Sequence, residues 1–210
     1  MNTDANNYPD LNSIVTQLYH TPSDINEHIP VILKYGNECD HITEMGVRAI
    51  VSTWAWLYCA PKKLVAYDIH NPSYFGASLE PLIDMAKKYN LNFEFRQEDV
   101  LKIEIEETDL LFIDTWHTYD QLKKELNLHS NKVRKYICFH DTVSYRFFDE
   151  RLATRYFNLN RQENTGIGIW PAIEEFLEKN KKTWKLKEHF SNNNGFTIIQ
   201  RINENNISSQ

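Results

Sequence analysis

Short apolar runs alternate along this chain with segments of helical spacing, and that alternation constrains the fold more than any other feature. Strand-like runs occupy residues 41–45, 63–69, 109–114, 135–141 and 196–202, and alternating stretches occupy 91–99 and 184–190. Between them apolar residues recur at helical intervals, as at Ile50, Trp54 and Leu57. The pattern predicts βαβ units and an α/β fold: a seven-stranded, doubly wound, mainly parallel sheet with helices on both faces.

The last two strands break the parallel pattern. They are joined by the turn-like sequence SNNNG at 191–195, which predicts an antiparallel C-terminal hairpin at one edge of the sheet. A chain of 210 residues without an evident linker is predicted to form a single domain over 1–210. Within it we expect an N-terminal helical segment at 1–38 and an insertion at 142–168.

Composition narrows the choice of partners. The net charge is −6 and the 23 basic residues are scattered, which argues against nucleic acid. Cys39, Cys59 and Cys138 lack C-x-x-C spacing, as is typical of a reducing compartment. No signal-like leader and no membrane-length apolar run is found, so we expect a cytoplasmic protein with no membrane partner. A small or neutral substrate fits this composition, and a homo-oligomer is left open.

Acidic residues close three of the predicted strands, at the edge where open α/β sheets bind ligands. Glu44 ends the first strand, Asp68 the second and Asp99 the third. Gly46 follows Glu44 and permits a ligand to approach the backbone closely. Neither G-x-G-x-x-G nor a Walker A sequence occurs, so the three acids predict an adenosine-bearing cofactor without a pyrophosphate.

Five stretches taken in order resemble one family. They are EMGVRAIVSTW (44–54), VAYDI (65–69), QEDVL (97–101), DLLFIDTWHTYDQLKKEL (109–126) and YICFHDT (136–142). The set is similar to class I S-adenosylmethionine-dependent methyltransferases, especially the metal-dependent sugar O-methyltransferases of bacteria and viruses. That resemblance implies a Rossmann-like sheet and S-adenosyl-L-methionine as cofactor. The family pattern acid-x-Gly-x-x-x-Gly matches at Glu44 and Gly46, whereas Ile50 replaces its second glycine.

The same resemblance implies a set of cofactor-binding residues. They are Glu44 and Gly46 at the methionine part, Ser52 and Thr53 nearby, Asp68 at the ribose hydroxyls, Asp99 and Val100 around the adenine, and Asp114 at the reacting end.

The fourth predicted strand ends in FIDTWHTY, which is similar to the matching stretch of catechol O-methyltransferase. In that enzyme a strand-end Asp binds Mg²⁺ and a basic side chain three residues later takes the substrate proton. The resemblance therefore gives these catalytic roles to Asp114 and His117. The following FHDT puts His140 and Asp141 beside Asp114 as ligands of a divalent cation, Mg²⁺ or Mn²⁺. Trp116, which lies between Asp114 and His117 in the sequence, is given no role by the resemblance.

Residues 143–168 are rich in Tyr, Phe and Arg and are expected to cover the acceptor. Aromatic faces stack on sugar rings and on phenols alike. Together with this segment, the resemblance to sugar O-methyltransferases implies a sugar or glycan hydroxyl as acceptor, and a phenolic small molecule is the alternative. Gly166 and Gly168 either hinge this segment as a lid or only make a turn. The side chains that would pair a phosphate or carboxylate on the acceptor are Arg146, Arg151, Arg155 or Arg161.

Two other functions are open from the residues alone. The Asp/His cluster would also suit a metal-dependent hydrolase or oxygenase, although that function does not explain the acids Glu44, Asp68 and Asp99 at the strand ends. Loss of glycine at Ile50 would also be typical of a cofactor-binding module without catalysis. Asp114 by itself could also be the N-cap of the helix that follows.

Overall fold

A computed structural model describes residues 8–150 and 166–202 of the chain. Its seven-stranded sheet has the order β3-β2-β1-β4-β5-β7-β6. The strands are β1 (His41–Met45), β2 (Lys63–Asp68), β3 (Phe93–Gln97), β4 (Thr108–Ile113), β5 (Val133–His140), β6 (Trp184–Phe190) and β7 (Phe196–Arg201). Strands β1 to β5 pair in parallel, and β7 pairs antiparallel with β5 and β6. The predicted mainly parallel α/β sheet with an antiparallel C-terminal hairpin is confirmed.

Helices cover both faces of this sheet, as predicted. They are α1 (Pro9–His20), α2 (Ile29–Gly36), α3 (Val51–Tyr58), α4 (Glu80–Lys88), α5 (Tyr119–His129) and α6 (Trp170–Lys179). Short 3₁₀ turns lie at Asn26–His28, Pro72–Phe75 and Ser130–Lys132. Local sequence sets several helix starts: Thr118 accepts a hydrogen bond from the Gln121 amide at the start of α5, and α4 and α6 carry Pro in their first turn.

Two hydrophobic clusters form the core, one on each side of the sheet. Strand β4 is buried along its whole length and contributes to both clusters, because successive side chains point to opposite faces. Leu110 and Phe112 pack with α1 to α4, whereas Leu111 and Ile113 pack with α5 and α6. A strand buried on both faces reads as a continuous apolar run, which is why DLLFID was recognisable in the sequence.

The strand order reverses at β1, which pairs with β2 on one side and β4 on the other. The carboxyl ends of these three strands therefore meet at one edge of the sheet. Gly46 follows β1, Asp68 ends β2, and Asp114 follows β4. This is the switch point at which open α/β sheets bind ligands.

Strand β3 is shorter than the predicted 91–99, because Asp99 already lies in a turn closed by the Lys102 amide. Of the expected insertion the structure describes only the two ends, which meet in a bridge between Phe148 and Ile167. Residues 151–165 lie outside the described ranges, and with them the expectations for Arg151, Arg155 and Arg161. None of the helices within residues 8–150 and 166–202 has both the length and the apolar character needed to cross a bilayer.

Candidate active site

A cavity of ≈460 Å³ lies at the switch point, a volume typical of small-molecule sites. Of the residues singled out in the sequence, those that line it are Gly46, Asp68, Asp99, Val100, Asp114, Trp116, His117 and Asp141. The structure does not place Glu44, Ser52, Thr53 or His140 in this lining; all are buried beside it. The remaining lining includes residues that the sequence did not single out: Asp24, Arg48, Tyr67, Ile69, His70, Phe75, Glu98, Thr115, Gln121, Ser144, Tyr145, Glu150 and Asn194.

The turn after β1 follows a path that only glycine can take at its first position. Gly46 has φ +87°, and a Cβ there would lie 1.9 Å from the Asp114 carbonyl oxygen. Ile50, which stands where the family pattern has its second glycine, also has a left-handed backbone with φ 59°. The turn therefore keeps the backbone conformation typical of glycine. The Ile50 side chain is buried and packs in the hydrophobic core.

Asp68 holds this turn in place. Its Oδ2 accepts hydrogen bonds from the amides of Val47 at 2.8 Å and Arg48 at 3.1 Å, and its Oδ1 accepts one from the His70 amide at 2.8 Å. An ionised carboxylate has about four acceptor positions, so Asp68 keeps capacity for a further donor in the cavity. Sequence reasoning placed Asp68 at the cavity but did not anticipate that it organises the backbone of the turn.

The exits of β2 and β3 form an apolar slot with polar edges. Ile69 and Val100 line it, and Asp99 stands at its margin with Oδ1 accepting from the Leu101 amide at 3.1 Å. The carbonyl of Val100 lies 2.8 Å from Nε2 of His129, a fully buried side chain of α5. That bond fixes the wall of the slot from behind, because it ties the loop after β3 to a rigid helix.

Glu44 and Ser52 form a buried pair under the turn. Ser52 Oγ donates to Glu44 Oε1 at 2.5 Å, and neither side chain borders the cavity. Burial raises the pKa of Glu44 to about 8. Glu44, Ser52 and Thr53 are buried behind the turn and do not line the cavity, so their predicted places at and near the methionine part of a cofactor stay predictions.

Glu44→Gln should change how stability depends on pH. A raised folded-state pKa means that the contribution of Glu44 is fully present below its usual value of 4.5 and is lost as pH rises through about 8. Gln keeps the shape and the acceptor for Ser52 but never ionises. We expect the wild type to lose roughly 3 kcal/mol relative to Glu44→Gln between pH 5 and pH 8, measured by urea unfolding at several pH values. Parallel pH curves for the two proteins would contradict this.

A cluster of acids and histidines stands at the exits of β4 and β5. His117 Nε2 lies 3.2 Å from Asp114 Oδ1 and 3.1 Å from Asp141 Oδ2. His140 Nδ1 lies 3.3 Å from Asp114 Oδ1 on the opposite side. Asp141 adopts a left-handed backbone with φ 59°, a strained conformation of the kind that concentrates at functional sites.

Charges in this cluster depend on one another. Burial disfavours charge on every member, yet His140 and His117 hold the pKa of Asp114 below its usual range. Burial likewise opposes ionisation of His117, but Asp114 and Glu150 hold its pKa well above the usual value, and Asp114 raises that of His140 to about 9. Burial raises the pKa of Asp141. The chain thus keeps positive imidazoles between carboxylates when no other cation is present.

Glu150 and Tyr145 hold His117 from its other side. Glu150 Oε2 lies 2.7 Å from His117 Nδ1 and accepts from the His117 amide at 3.2 Å, while the ring of Tyr145 stacks on the imidazole at 4.7 Å. Sequence reasoning missed both, because they lie in an aperiodic segment and reach His117 only through the fold. Asp24 and Asn194 were missed for the same reason.

Three ligand atoms, one each from Asp114, His140 and Asp141, lie within 4.8 Å of one another, which is the spacing of donors around one divalent cation. His140 Nε2 lies 3.0 Å from the Asp24 carbonyl, so the other ring nitrogen, Nδ1, faces the two carboxylates. Ligating histidines commonly use their second nitrogen in this way. The residues present therefore fit a divalent cation with two oxygen donors and one nitrogen donor.

Arg146 and Gly168 have packing roles in the structure. Arg146 lies over the Trp170 ring, 4.3 Å from its centroid, and does not line the cavity. A Cβ on Gly168 would lie 2.1 Å from the Tyr145 carbonyl, so this glycine lets two backbone segments pack closely. The sequence left open whether Gly166 and Gly168 form a lid hinge or only a turn, and the close packing at Gly168 favours the turn.

No protein-family model and no curated protein sequence matches this chain. Solved structures do match. A protein from Corynebacterium glutamicum aligns with a TM-score of 0.60 at 10% identity, over 97% of this chain and 93% of that one. The O-methyltransferase from Bacillus cereus in complex with SAH aligns with a TM-score of 0.56 at 13% identity, over 95% and 92%. This chain has the methyltransferase fold.

Magnesium protoporphyrin IX methyltransferase from Synechocystis PCC 6803, with bound SAH, shares the methyltransferase fold at a TM-score of 0.54 and 8% identity, over 93% of this chain and 95% of that one. The resemblance to class I methyltransferases found in the sequence is thus confirmed at the level of architecture. Because one fold hosts many functions, the activity has to be argued from the site itself.

Proposed function

We propose that the chain is an S-adenosylmethionine-dependent O-methyltransferase that works with a divalent cation. One observation carries this proposal: a single cavity joins the Asp68 and Asp99 end to the cluster of Asp114, His117 and Asp141. The first end offers carboxylates and an apolar slot to a nucleoside. The second offers a proton acceptor and cation ligands to a hydroxyl.

Cofactor binding follows from the shape of the first end. Asp68 has acceptor capacity for ribose hydroxyls, Ile69 and Val100 supply apolar walls for an adenine ring, and Asp99 can accept from its amino group. Gly46 leaves the backbone open to the methionine part. The sulfonium of the cofactor carries a positive charge, which the acidic cavity favours. The acids in its wall are Asp24, Asp68, Glu98, Asp99, Asp114, Asp141 and Glu150.

The second end supplies the chemistry. A divalent cation held by Asp114, His140 and Asp141 would lower the pKa of the acceptor hydroxyl and orient it. Once Asp114 and Asp141 served as cation ligands, they would no longer favour a proton on His117, whose Nε2 would then carry a lone pair. His117 then takes the hydroxyl proton while the oxygen forms its bond to the methyl carbon and the carbon–sulfur bond breaks, leaving neutral S-adenosylhomocysteine. Glu150 keeps the imidazole oriented and stabilises its charge.

We further propose a sugar or glycan hydroxyl as acceptor. Tyr145 brings an aromatic ring to the cavity. Ser144 and Asn194 line the cavity beside it, and Ser144 Oγ, which donates to Asn194 Oδ1 at 2.8 Å, keeps lone pairs that can accept from a hydroxyl. A phenolic acceptor is the alternative, since an aromatic wall serves both. A hydrolase or oxygenase has no specific observation in its favour, because it leaves the Asp68 end of the cavity without a function.

Binding of S-adenosylhomocysteine tests the cofactor assignment. We expect the wild type to bind it in calorimetry and Asp68→Ala to bind about 100-fold more weakly, because charged hydrogen bonds to the ribose and to the turn are lost together. Asp84→Ala, at an exposed position on α4, is the matched control and should bind as the wild type does. Absence of binding to the wild type would refute the proposal.

Transfer itself is tested with two acceptor classes. Incubation with labelled S-adenosylmethionine and Mn²⁺ should methylate members of a panel of glycosides. Methylation of catechols alone would overturn the sugar preference but keep the reaction. Equal rates with Mn²⁺ and with a chelator would overturn the role of the cation.

A further inference from the structure

The segment 23–28, between α1 and α2, is fastened to the β6–β7 turn by side-chain amides. Asn193 Nδ2 donates to the Ser23 carbonyl at 2.9 Å, and Asn193 Oδ1 accepts from the Glu27 amide at 3.0 Å. Asn194 Nδ2 donates to the Asp24 carbonyl at 3.2 Å. These bonds join two parts of the chain more than 160 residues apart at the margin of the cavity.

His140 connects this segment to the acid cluster. Its Nε2 lies 3.0 Å from the Asp24 carbonyl and 3.3 Å from the Asn193 carbonyl. Carbonyl oxygens only accept hydrogen bonds, so Nε2 carries a hydrogen, and in the neutral ring Nδ1 holds the lone pair. Nδ1 lies 3.3 Å from Asp114 Oδ1, where the protonated ring donates to that carboxylate and the neutral ring would offer its lone pair to a cation.

His28 supports the same arrangement from within the segment. Its Nε2 lies 3.1 Å from the carbonyls of both Asn192 and Asn193, and its ring packs edge-on against His140 at 5.8 Å. Both imidazoles are 1% exposed. The orientation of His140 therefore depends on the segment and the turn being docked together, and not only on β5.

We infer that the segment 23–28 is part of the cation site: its docking on the β6–β7 turn fixes His140 as an Nδ1 ligand, so docking and cation binding stabilise each other. Coupling of this kind is reciprocal, since a ligand that favours the docked form is itself favoured by docking. The inference rests on the cation of the proposed function. It adds that an N-terminal element, which supplies no ligand atom, sets the affinity of the site and brings Asp24 into the cavity wall.

Asn193→Gly tests the coupling without touching a ligand. Asn193 has φ 42°, which glycine adopts freely. The change removes the two side-chain bonds that Asn193 makes to the segment and keeps its backbone carbonyl and the Asn194 bond to Asp24. Asn90→Gly is the matched control, because Asn90 has φ 54° in the turn between α4 and β3, at the other end of the sheet. We expect Asn193→Gly to bind Mn²⁺ about tenfold more weakly in calorimetry, as outer-shell changes commonly do, and Asn90→Gly to bind as the wild type.

Amide hydrogen exchange gives a second readout that needs no activity. Mn²⁺ should slow exchange of residues 23–28 in the wild type and do so less in Asn193→Gly, with α4 unchanged in both. Wild-type affinity in Asn193→Gly, or unchanged exchange of 23–28 on adding Mn²⁺, would overturn the inference. S-adenosylhomocysteine binding is measured on the same samples: if it persists while the wild type binds no Mn²⁺, the cation and this inference fail and the cofactor assignment stands.

Discussion

Gly46→Ala is expected to abolish S-adenosylhomocysteine binding and to lower the free energy of unfolding by more than about 3 kcal/mol, in the range of severe backbone clashes. The added Cβ would lie 1.9 Å from the Asp114 carbonyl oxygen and 3.1 Å from the Thr115 amide nitrogen. Neither atom can rotate away, because both belong to the backbone at the exit of β4. The turn and the exit of β4 must separate, which moves Asp114 and opens the cavity floor. Urea unfolding and calorimetry measure the two effects.

Gly76→Ala is the control for this change. Gly76 has a similar left-handed backbone, with φ +79°, but a Cβ there would meet nothing within 4 Å. It should cost only the conformational penalty of about 1–2 kcal/mol and leave binding intact. If the two variants unfold alike and both bind the cofactor product, the close approach of Gly46 to Asp114 is not what the site requires.

Asp114→Asn is expected to reduce methyl transfer by at least about 10³-fold, because it removes a ligand of the proposed cation and the carboxylate shared by His117 and His140. Mn²⁺ binding should be lost with it. Binding of S-adenosylhomocysteine should weaken far less than transfer, since the ribose and adenine groups stay in place. Rates come from the labelled-cofactor assay and affinities from calorimetry.

Asp109→Asn is the control that distinguishes a loss of methyl transfer from a loss of stability. Asp109 is a buried acid at the opposite end of β4, where it accepts from the Asp40 amide and from Arg134. Asn there should lower the unfolding free energy by about 1–3 kcal/mol through lost charged hydrogen bonds, with transfer by the folded protein unchanged. Asp114→Asn that retained a tenth of wild-type transfer would show that Asp114 is not a cation ligand needed for the reaction.

Much of the fold could be predicted from the sequence, because a strand buried on both faces of the sheet is a continuous apolar run. Strand β4 appears as an apolar run, and the shift from that run to helical spacing after Thr118 marks the βα junction. The strand-end acids could be predicted for the same reason, because once a strand is located, the residues that end it lie near the edge of the sheet where ligands bind. Ile50 was harder to interpret, since the sequence shows a missing glycine but not the left-handed backbone that the residue still adopts.

The residues of the site could be predicted only in part, because a residue at a strand end can face the cavity or the packed layer behind it. Glu44 and Asp68 look alike in the sequence, yet Glu44 is fully buried against Ser52 while Asp68 borders the cavity. Glu44 accepts a hydrogen bond from a side chain of α3, whereas Asp68 accepts from the backbone amides of Val47 and Arg48 in the turn. No local pattern records that.

By itself the sequence determined the α/β class, the strand positions and the set of acids and histidines at the strand exits, because these follow from periodicity and chain order. Only the tertiary structure decided how His117 and His140 are held. Glu150 reaches His117 from a segment without periodicity, and the carbonyl of Asp24 reaches His140 from an N-terminal segment 116 positions away. Such contacts join segments that are distant in the chain, so they exist only once the sheet has brought its carboxyl edge, the N-terminal segment and the last hairpin together.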